Sequence, residues 1–504
     1  MGGGVAAVKP GFRPSMTWLH DWSGLVIGWL LLAIALAGTL AVFRPEIGSW
    51  ARPEVARAAV DPVESTQAAI GWLSAHAAKS PAWYLQPAND RSSTTQALWL
   101  DGNDYVTRAL DPRTGSPAGI RDTLGGEFFY RFHFELQLPY PWGRILSASA
   151  AMLMVLAIIT GIVAHRRFFA DFFTFRPGKG QRSWLDAHNL LGVAALPFHL
   201  LISFTGALTL ANLLMPWGAI AGYRGDEAAL RRDLYPAEVT RAATGRPAPL
   251  VPIGPLLRRA EQRIGGHIGL ISVIDPGDAS AVISVTSADD DRLQIAHHVI
   301  SFDGTTGRIL AEQVERRPVL SVFNAFYGLH TARFAGALSR WLYFISGWML
   351  TGLIATGLIL WTAKRRERRW GRGFVLVERL NVGFVGGTPA AFAAFFLANR
   401  LLPVAMAGRQ MAEVHAVFWT WGAVLLFGAI RRPERAWTEL LTLSAAACAA
   451  IPLVDIACGT ARADGPGLGV GLTALLLAAG LGHAARRGWR PKLRAMRRER
   501  AAVA

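Results

Sequence analysis

The sequence predicts a polytopic α-helical membrane protein built on a duplicated unit of helix, external domain and helix. Four helices would form its core, and about four further spans would follow. Three observations point there: a chain poor in charge yet basic, eight long apolar runs, and an internal repeat. Only 17% of the 504 residues are charged and 52% are apolar or aromatic, against about 25% charged in a soluble chain. Yet 52 Lys and Arg face 35 Asp and Glu, a net charge of +17. Disorder requires low hydrophobicity, and a soluble nucleic-acid binder carries its basic residues without long uncharged runs. Both classes are set aside, and no nucleic-acid partner is expected. Cys448 and Cys458 are too few for a disulfide framework or a thiolate metal site.

A span needs about 20 mostly apolar residues. Eight stretches qualify, roughly 22–43, 145–164, 188–215, 338–362, 381–403, 411–430, 437–457 and 467–485. Ala35-Leu36-Ala37 imitates a signal cleavage site, but the apolar run continues to Phe43, so the first span is read as an uncut anchor. Basic residues set the orientation. Arg166, Arg167, Arg176, Lys179 and Arg182 follow span two. Lys364, Arg365, Arg366, Arg368, Arg369 and Arg372 follow span four, Arg431, Arg432 and Arg435 follow span six, and Arg486 to Arg500 end the chain. Every second loop is basic, which places both termini in the cytoplasm.

The chain then divides into a cytoplasmic start with span one (1–43), a first external domain (44–140), and span two with its cytoplasmic loop (141–187). Span three (188–215), a second external domain (216–337) and span four with its basic loop (338–373) follow. Spans five to eight (374–485) and a basic tail (486–504) complete it. Both external segments read as α+β. Each has a strand running into an Asp-to-Gly turn, Asp111-Pro112-Arg113-Thr114-Gly115 and Asp303-Gly304-Thr305-Thr306-Gly307, which is hairpin chemistry.

Those turns are one trace of the repeat. His20 is followed by Gly24 and Gly38, and His188 by Gly192 and Gly206, at the same offsets. Phe129-Tyr130-Arg131-Phe132-His133 matches Phe326-Tyr327-Gly328-Leu329-His330. Arg144 and Arg340 follow, then Thr160-Gly161 and Thr356-Gly357. Residues 17–167 and 185–366 are thus two copies of one unit in the same orientation, related by an axis along the membrane normal.

Histidine in hydrocarbon is seldom without a partner or a role. The repeat gives two pairs, His20 with His188 on the cytoplasmic face and His133 with His330 on the external face. Two imidazoles facing each other across a bundle are what a six-coordinate haem needs. A single interfacial histidine is commonly a hydrogen-bonded helix-end residue; it is the doubling that favours ligation. Direct binding of a metal ion is disfavoured, since no carboxylate or cysteine stands at ligand spacing. His165 ends span two. His199 lies 11 residues after His188, about 16 Å and nearly three turns along a straight helix, so both are expected on one face. His133 and His330 stand about 11 residues before the uncharged parts of their spans, and Pro139 and Pro141 make a straight helix unfavourable there. An outer haem iron would therefore be ligated either by His133 with His330 or through His199 with another histidine. Phe128, Phe129, Tyr130, Phe326 and Tyr327 would line an outer substrate site or form an interfacial aromatic belt. Asp455, in span seven, is the main membrane carboxylate and is read as packing near the outer edge.

These residues resemble a known family. Trp18-Leu19-His20-Asp21-Trp22-Ser23-Gly24-Leu25, with Phe43-Arg44-Pro45-Glu46, resembles the first helix of PepSY-associated transmembrane proteins. Ser183-Trp184-Leu185-Asp186-Ala187-His188-Asn189-Leu190-Leu191-Gly192 and Leu196-Pro197-Phe198-His199 resemble the third helix of their ferric-siderophore reductase branch. Phe173-Thr174-Phe175-Arg176-Pro177 resembles the preceding loop, and Leu329-His330-Thr331 the fourth helix. The resemblance covers 15–370. It implies an inner-membrane protein of iron uptake with two periplasmic PepSY-like domains and two b-type haems. His20, His188, His133 and His330 match the family's recurring positions, and His165 and His199 match positions of the reductase branch. It further implies that a cytoplasmic donor (reduced flavin, quinol or a reductase) feeds electrons across the membrane to a periplasmic ferric siderophore, releasing ferrous iron. A Gly-x-Gly-x-x-Gly fingerprint after a strand is missing, so the donor is expected to be separate. The rival readings are a transporter or permease for iron, haem or a chelate, and a non-enzymatic sensor or scaffold.

Overall fold

The computed structural model describes all residues except 1–10, 58–59, 166–174, 291, 296, 335, 367–370 and 504, and only the backbone of 488–503. Arg166, Arg167, Phe173, Thr174, Arg368 and Arg369 therefore lie outside the described residues. The first half runs α1 (Phe12–Ala41), α2 (Arg44–Trp50), α3 (Pro62–His76), β1 (Ala82–Gln86), β2 (Thr95–Asp101), β3 (Asp104–Leu110), α4 (Gly126–Glu135) and α5 (Trp142–Ala164). The second half follows the same plan with insertions. It runs α6 (Gln181–Ala194), α7 (Leu196–Thr209), α8 (Ala211–Leu214), α9 (Trp217–Tyr223), α10 (Glu227–Leu234) and α11 (Ile253–Ile264). Then come β4 (Ile268–Ile274), β5 (Val282–Ser287), β6 (His298–Asp303), β7 (Ile309–Val314), α12 (Pro318–Thr331) and α13 (Ala337–Arg365). The chain closes with α14 (Gly371–Leu401), α15 (Arg409–Ile430), α16 (Pro433–Ala457) and α17 (Gly465–Val503).

Among the described residues, seven helices are long and apolar enough to cross a membrane, and the pair α6 and α7 together makes an eighth span bent by 71°. The chain is a polytopic membrane protein. The bend corrects the expectation of one straight span at 188–215. Pro197, in the first turn of α7, has no N–H to give the preceding turn, and its ring excludes the carbonyl four residues back. His188 and His199 therefore stand on different helices, and their stacking along a single face does not hold. α1 also begins well before residue 22, so His20 lies inside the helix rather than at its start.

α1 packs between α5 and α13, α6 lies on α13, and α7 lies on α5, giving the four-helix core. Its interior is built from residues such as Leu32, Leu36, Ile158 and Leu358. The stretches joining the sheet to α5 and α13 turn back on themselves. α4 ends at Leu136, which has φ 56°, and folds against α1; α12 ends at Ala332, with φ 51°, and folds against α7. The two histidines that seemed too far outside are returned to the bundle by these short helices.

The two external segments are joined in one antiparallel sheet of order β3-β2-β1-β4-β5-β6-β7. The first strands of the two halves pair at its centre, Trp83 opposite Val273 and Leu85 opposite Ile271. α11 buries Ile253, Leu256, Leu257, Ala260 and Ile264, spaced as one helical face, and with α3 it covers one side of the sheet over Trp83, Ile271 and Phe302. The two Asp-to-Gly turns have the same geometry. Asp111 Oδ1 accepts from the amides of Arg113 and Thr114 at 2.8 and 3.1 Å. Asp303 Oδ1 accepts from Thr305 and Thr306 at 3.1 and 2.9 Å. Gly115 and Gly307 close them at φ 69° and 71°, a region open to glycine at little steric cost.

Candidate functional site

Four histidines are held by one repeated device. His20 Nδ1 lies 2.8 Å from the Ala157 carbonyl on α5, and His188 Nδ1 lies 3.0 Å from the Leu353 carbonyl on α13. His133 Nδ1 lies 2.9 Å from the Ile34 carbonyl on α1. His330 Nδ1 lies 3.1 Å from Thr205 Oγ1 on α7, beside the Ile202 carbonyl. In every case a glycine follows that carbonyl by four residues, and the imidazole rests on it. A Cβ added at Gly38 would stand 2.6 Å from His133, at Gly206 2.8 Å from His330, at Gly161 3.0 Å from His20, and at Gly357 3.1 Å from His188. The glycines of the repeat thus admit a ring from the neighbouring helix. Gly24, also repeated, faces open space.

The acceptors fix the tautomers. A carbonyl only accepts, so the ring nitrogen facing it carries the proton. The Thr205 hydroxyl gives its own proton to the Leu201 carbonyl at 2.6 Å, so it also accepts from His330. All four rings then present Nε2 as a lone pair.

The structure brings these rings together in two pairs. His20 and His188 have ring centres 6.2 Å apart with planes at 67°, and His133 and His330 have centres 6.0 Å apart with planes at 23°. An iron between two imidazoles has metal–nitrogen bonds of about 2 Å. With about 1.1 Å from nitrogen to ring centre, bis-histidine ligation needs centres about 6 Å apart. The residues fit a haem iron at both places. His20 and Gly38, the seat of His133, are separated on α1 by about 27 Å of rise, close to a hydrocarbon thickness. One pair therefore stands at each end of the bundle.

His199 and His165 join neither pair by ring contact among the described residues. His199 is buried on α7 at 2% exposure, and neither ring nitrogen meets hydrogen-bond geometry; its approach to the Ser346 carbonyl is loose. His165 caps the end of α5, within electrostatic reach of His188. The external histidines are engaged locally: His76 stacks on Trp72 at 4.3 Å, His267 meets Asp290 at 3.3 Å, and His298 meets Glu312 at 3.0 Å.

A cavity of 2270 Å³ opens between the sheet and the bundle. Tyr84, Gln86 and Gln96 line it from the sheet, and it reaches His133, His330 and Gly38 below. Tyr130 lines it, one helical turn before His133, and Tyr327 stands beside Tyr130. The sequence leaves these aromatics open between an outer site and an interfacial belt; Phe129, Phe326 and Tyr327 do not line the cavity. Phe129 is fully buried with Phe128 against Phe395 and Phe396 of α14, and Phe326 packs edge-on against Phe204 at 5.8 Å.

Sequence reasoning missed a buried polar cluster between the first external segment and α14–α16. Arg409 pairs with Glu413, both wholly buried, and Arg400 pairs with Asp455 at 2.7 Å. Asn399 donates to Glu413 at 2.9 Å and to Thr123 at 3.2 Å, and Arg121 donates to the Asn399 carbonyl at 2.6 Å. The available signal was the placement of Arg400, Arg409 and Glu413 at or near the ends of two consecutive apolar runs.

A family profile described as the PepSY-associated TM region matches residues 17–364. Its limits enclose the four-helix core and the sheet and leave α14–α17 outside. An uncharacterized protein of Pseudomonas aeruginosa is 28% identical over 387 residues, which is 70% of this chain and 92% of that relative.

Proposed function

We propose, from the premise that this chain belongs to the family of PepSY-associated TM regions, that it is a di-haem reductase of the bacterial inner membrane acting on a periplasmic ferric siderophore. The observation that carries this reading is the doubled pair of histidines, each Nδ1 hydrogen bonded and each pair spaced for one iron. His20 and His188 would hold the inner haem b, and His133 and His330 the outer one. Bound there, haem supplies reversible one-electron transfer at a potential tuned by its ligands and their burial. The chain's own part is positional. The carbonyls of Ala157, Leu353 and Ile34 and the Thr205 hydroxyl fix ring rotation and tautomer, as second-layer acceptors do at metal sites. The glycines give the rings room.

The substrate belongs in the cavity above His133 and His330, with Tyr130 at its base. Its volume exceeds that of ordinary small-molecule pockets, about 300–1,000 Å³, as a bulky chelate requires. Hard-oxygen chelators hold ferrous iron far less tightly than ferric iron, so one electron releases it. The donor, a reduced flavin, a quinol or a reductase, would meet the His20 and His188 end, where Arg365 and Lys364 flank Asp21 at 3.0 and 3.5 Å. The basic loops favour that end as cytoplasmic.

Asp455, the carboxylate a carrier would need, accepts from Arg400, Trp50 and Thr460. This engagement disfavours the transporter reading. The test is spectroscopic. Protein purified from haem-replete cells should show a Soret band and sharp α-bands on reduction, two haems per chain, and oxidation of the reduced protein by a ferric hydroxamate or catecholate. A colourless preparation overturns the proposal.

A further inference from the structure

We infer that the first two C-terminal helices, α14 and α15, are a positioning device for one outer ligand: they hold α4, and through it His133, while His330 opposite is carried without such support. The inference rests on the haem reading above. α4 has ten residues, and a helix that short is marginal alone. Its place must come from what it touches. One side carries His133 onto Gly38 of α1. The other carries Phe128, Phe129 and Phe132, exposed by 0%, 0% and 1%. Phe128 stacks on Phe395 at 4.7 Å and Phe129 on Phe396 at 5.3 Å, both from α14. Phe132 meets Phe392 at 5.5 Å, and Phe418 and Trp421 of α15 at 6.1 and 5.8 Å.

The strand of chain entering α4 is held by the same helices. Thr123 Oγ1 accepts from the Gly125 amide at 3.0 Å in the turn that leads into α4, and it bonds Glu413 of α15 and Asn399 of α14. Arg409 pairs with Glu413 and donates to the Asn399 carbonyl at 2.5 Å. A buried ion pair is compensated only when its further hydrogen bonds are made, and here they run into the segment that starts α4.

The matching positions of α12 differ. Ala325, Phe326 and Leu329 stand where α4 has Phe128, Phe129 and Phe132, and all three are only partly buried. Leu320 stands at the position of Thr123 and offers no hydrogen bond to a neighbouring helix, and α12 packs chiefly on α7. One histidine of the outer pair thus sits on a clamped helix and the other on a looser one. Clamping His133 keeps its Nε2 in place and leaves adjustment to His330.

The test uses the full haem-loaded chain with Phe395→Ala, with Phe418→Ala as a gentler variant at the cluster's rim, where Phe418 is 37% exposed. Hydrogen exchange is read on peptides from 126–135 and 318–331, and low-spin haem signals by electron paramagnetic resonance. The expected result is exchange in α4 faster by about tenfold or more, with α12 unchanged. One low-spin signal converts in part to high spin while the other stays intact, and Phe395→Leu restores it. Unchanged α4 exchange in both variants, or equal change in both haem signals, overturns the inference. Protein that binds no haem but whose α4 still loosens supports the clamp and overturns the proposed function instead.

Discussion

Each paired histidine requires a glycine across the helix interface, and that is where single substitutions should act most selectively. A methyl at position 38 or 206 would overlap the ring resting there, and overpacking of this kind costs about 1–3 kcal/mol. Gly38→Ala and Gly206→Ala are expected to reduce haem content from two per chain toward one, with the inner haem spectrum kept. Gly24→Ala, facing open space, should change nothing; haem quantitation against protein checks all three. The offsets among His20, Gly24 and Gly38 were legible in the sequence. Which glycine seats which ring was not, because every seat lies on another helix. In the sheet, Asp278 is held below the usual carboxylate range by the Ser280 hydroxyl and amide and the Thr244 amide. For Asp303, burial works against the ionised form, but hydrogen bonds from Arg241, Thr305 and Thr306 outweigh it and hold its value down. A depressed folded value stabilises above the unfolded value, about 3.9, and that stability is lost as pH falls. The sheet should melt at a constant temperature from about pH 7 to 5 and progressively lower below about pH 4. Asp278→Asn should flatten that dependence, read by tryptophan fluorescence.

Elements were legible where composition alone decides them. Long uncharged runs gave α1, α5 and α13, and Asp-to-Gly turns gave the ends of β3 and β6. Elements shaped by contact were not. The bend between α6 and α7 needed the geometric consequence of Pro197, and the folding back of α4 and α12 depends on Leu136 and Ala332 in left-handed conformations. Phe129 reads from sequence either as a site residue or as part of an interfacial aromatic belt; only the structure shows α14 covering it. The pairing of β1 with β4 was equally hidden, since no periodicity specifies which distant strand lies alongside. Ile271→Ala at that junction, where Ile271 is fully buried opposite Leu85, should cost about 2–5 kcal/mol. Differential scanning calorimetry should show the sheet's transition lowered, with the haem spectrum of the native protein unaltered.

At the scale of the molecule, two half-sheets are joined into one roof over a bundle with a histidine pair at each end. The histidines proposed for chemistry are neutral in the count that gives a net charge of +17. The four extra helices were the least legible part. Their apolar runs predict spans, but their role depends on Asn399, Arg409 and Glu413 meeting a segment about 280 residues earlier in the chain. Arg400→Met leaves Asp455 buried without its cation, and breaking such a pair costs about 3–5 kcal/mol. The variant should show reduced thermal stability of the full chain, measured by the loss of its folded fraction on size-exclusion after heating. The two-ended histidine arrangement is tested most directly by reduced-minus-oxidised absorbance of the purified wild type, His188→Ala and His330→Ala, with haem counted per chain. Two b-type haems in the wild type, and loss of a different one in each variant, is the predicted result. A wild type without haem, or variants that keep both haems, would contradict it.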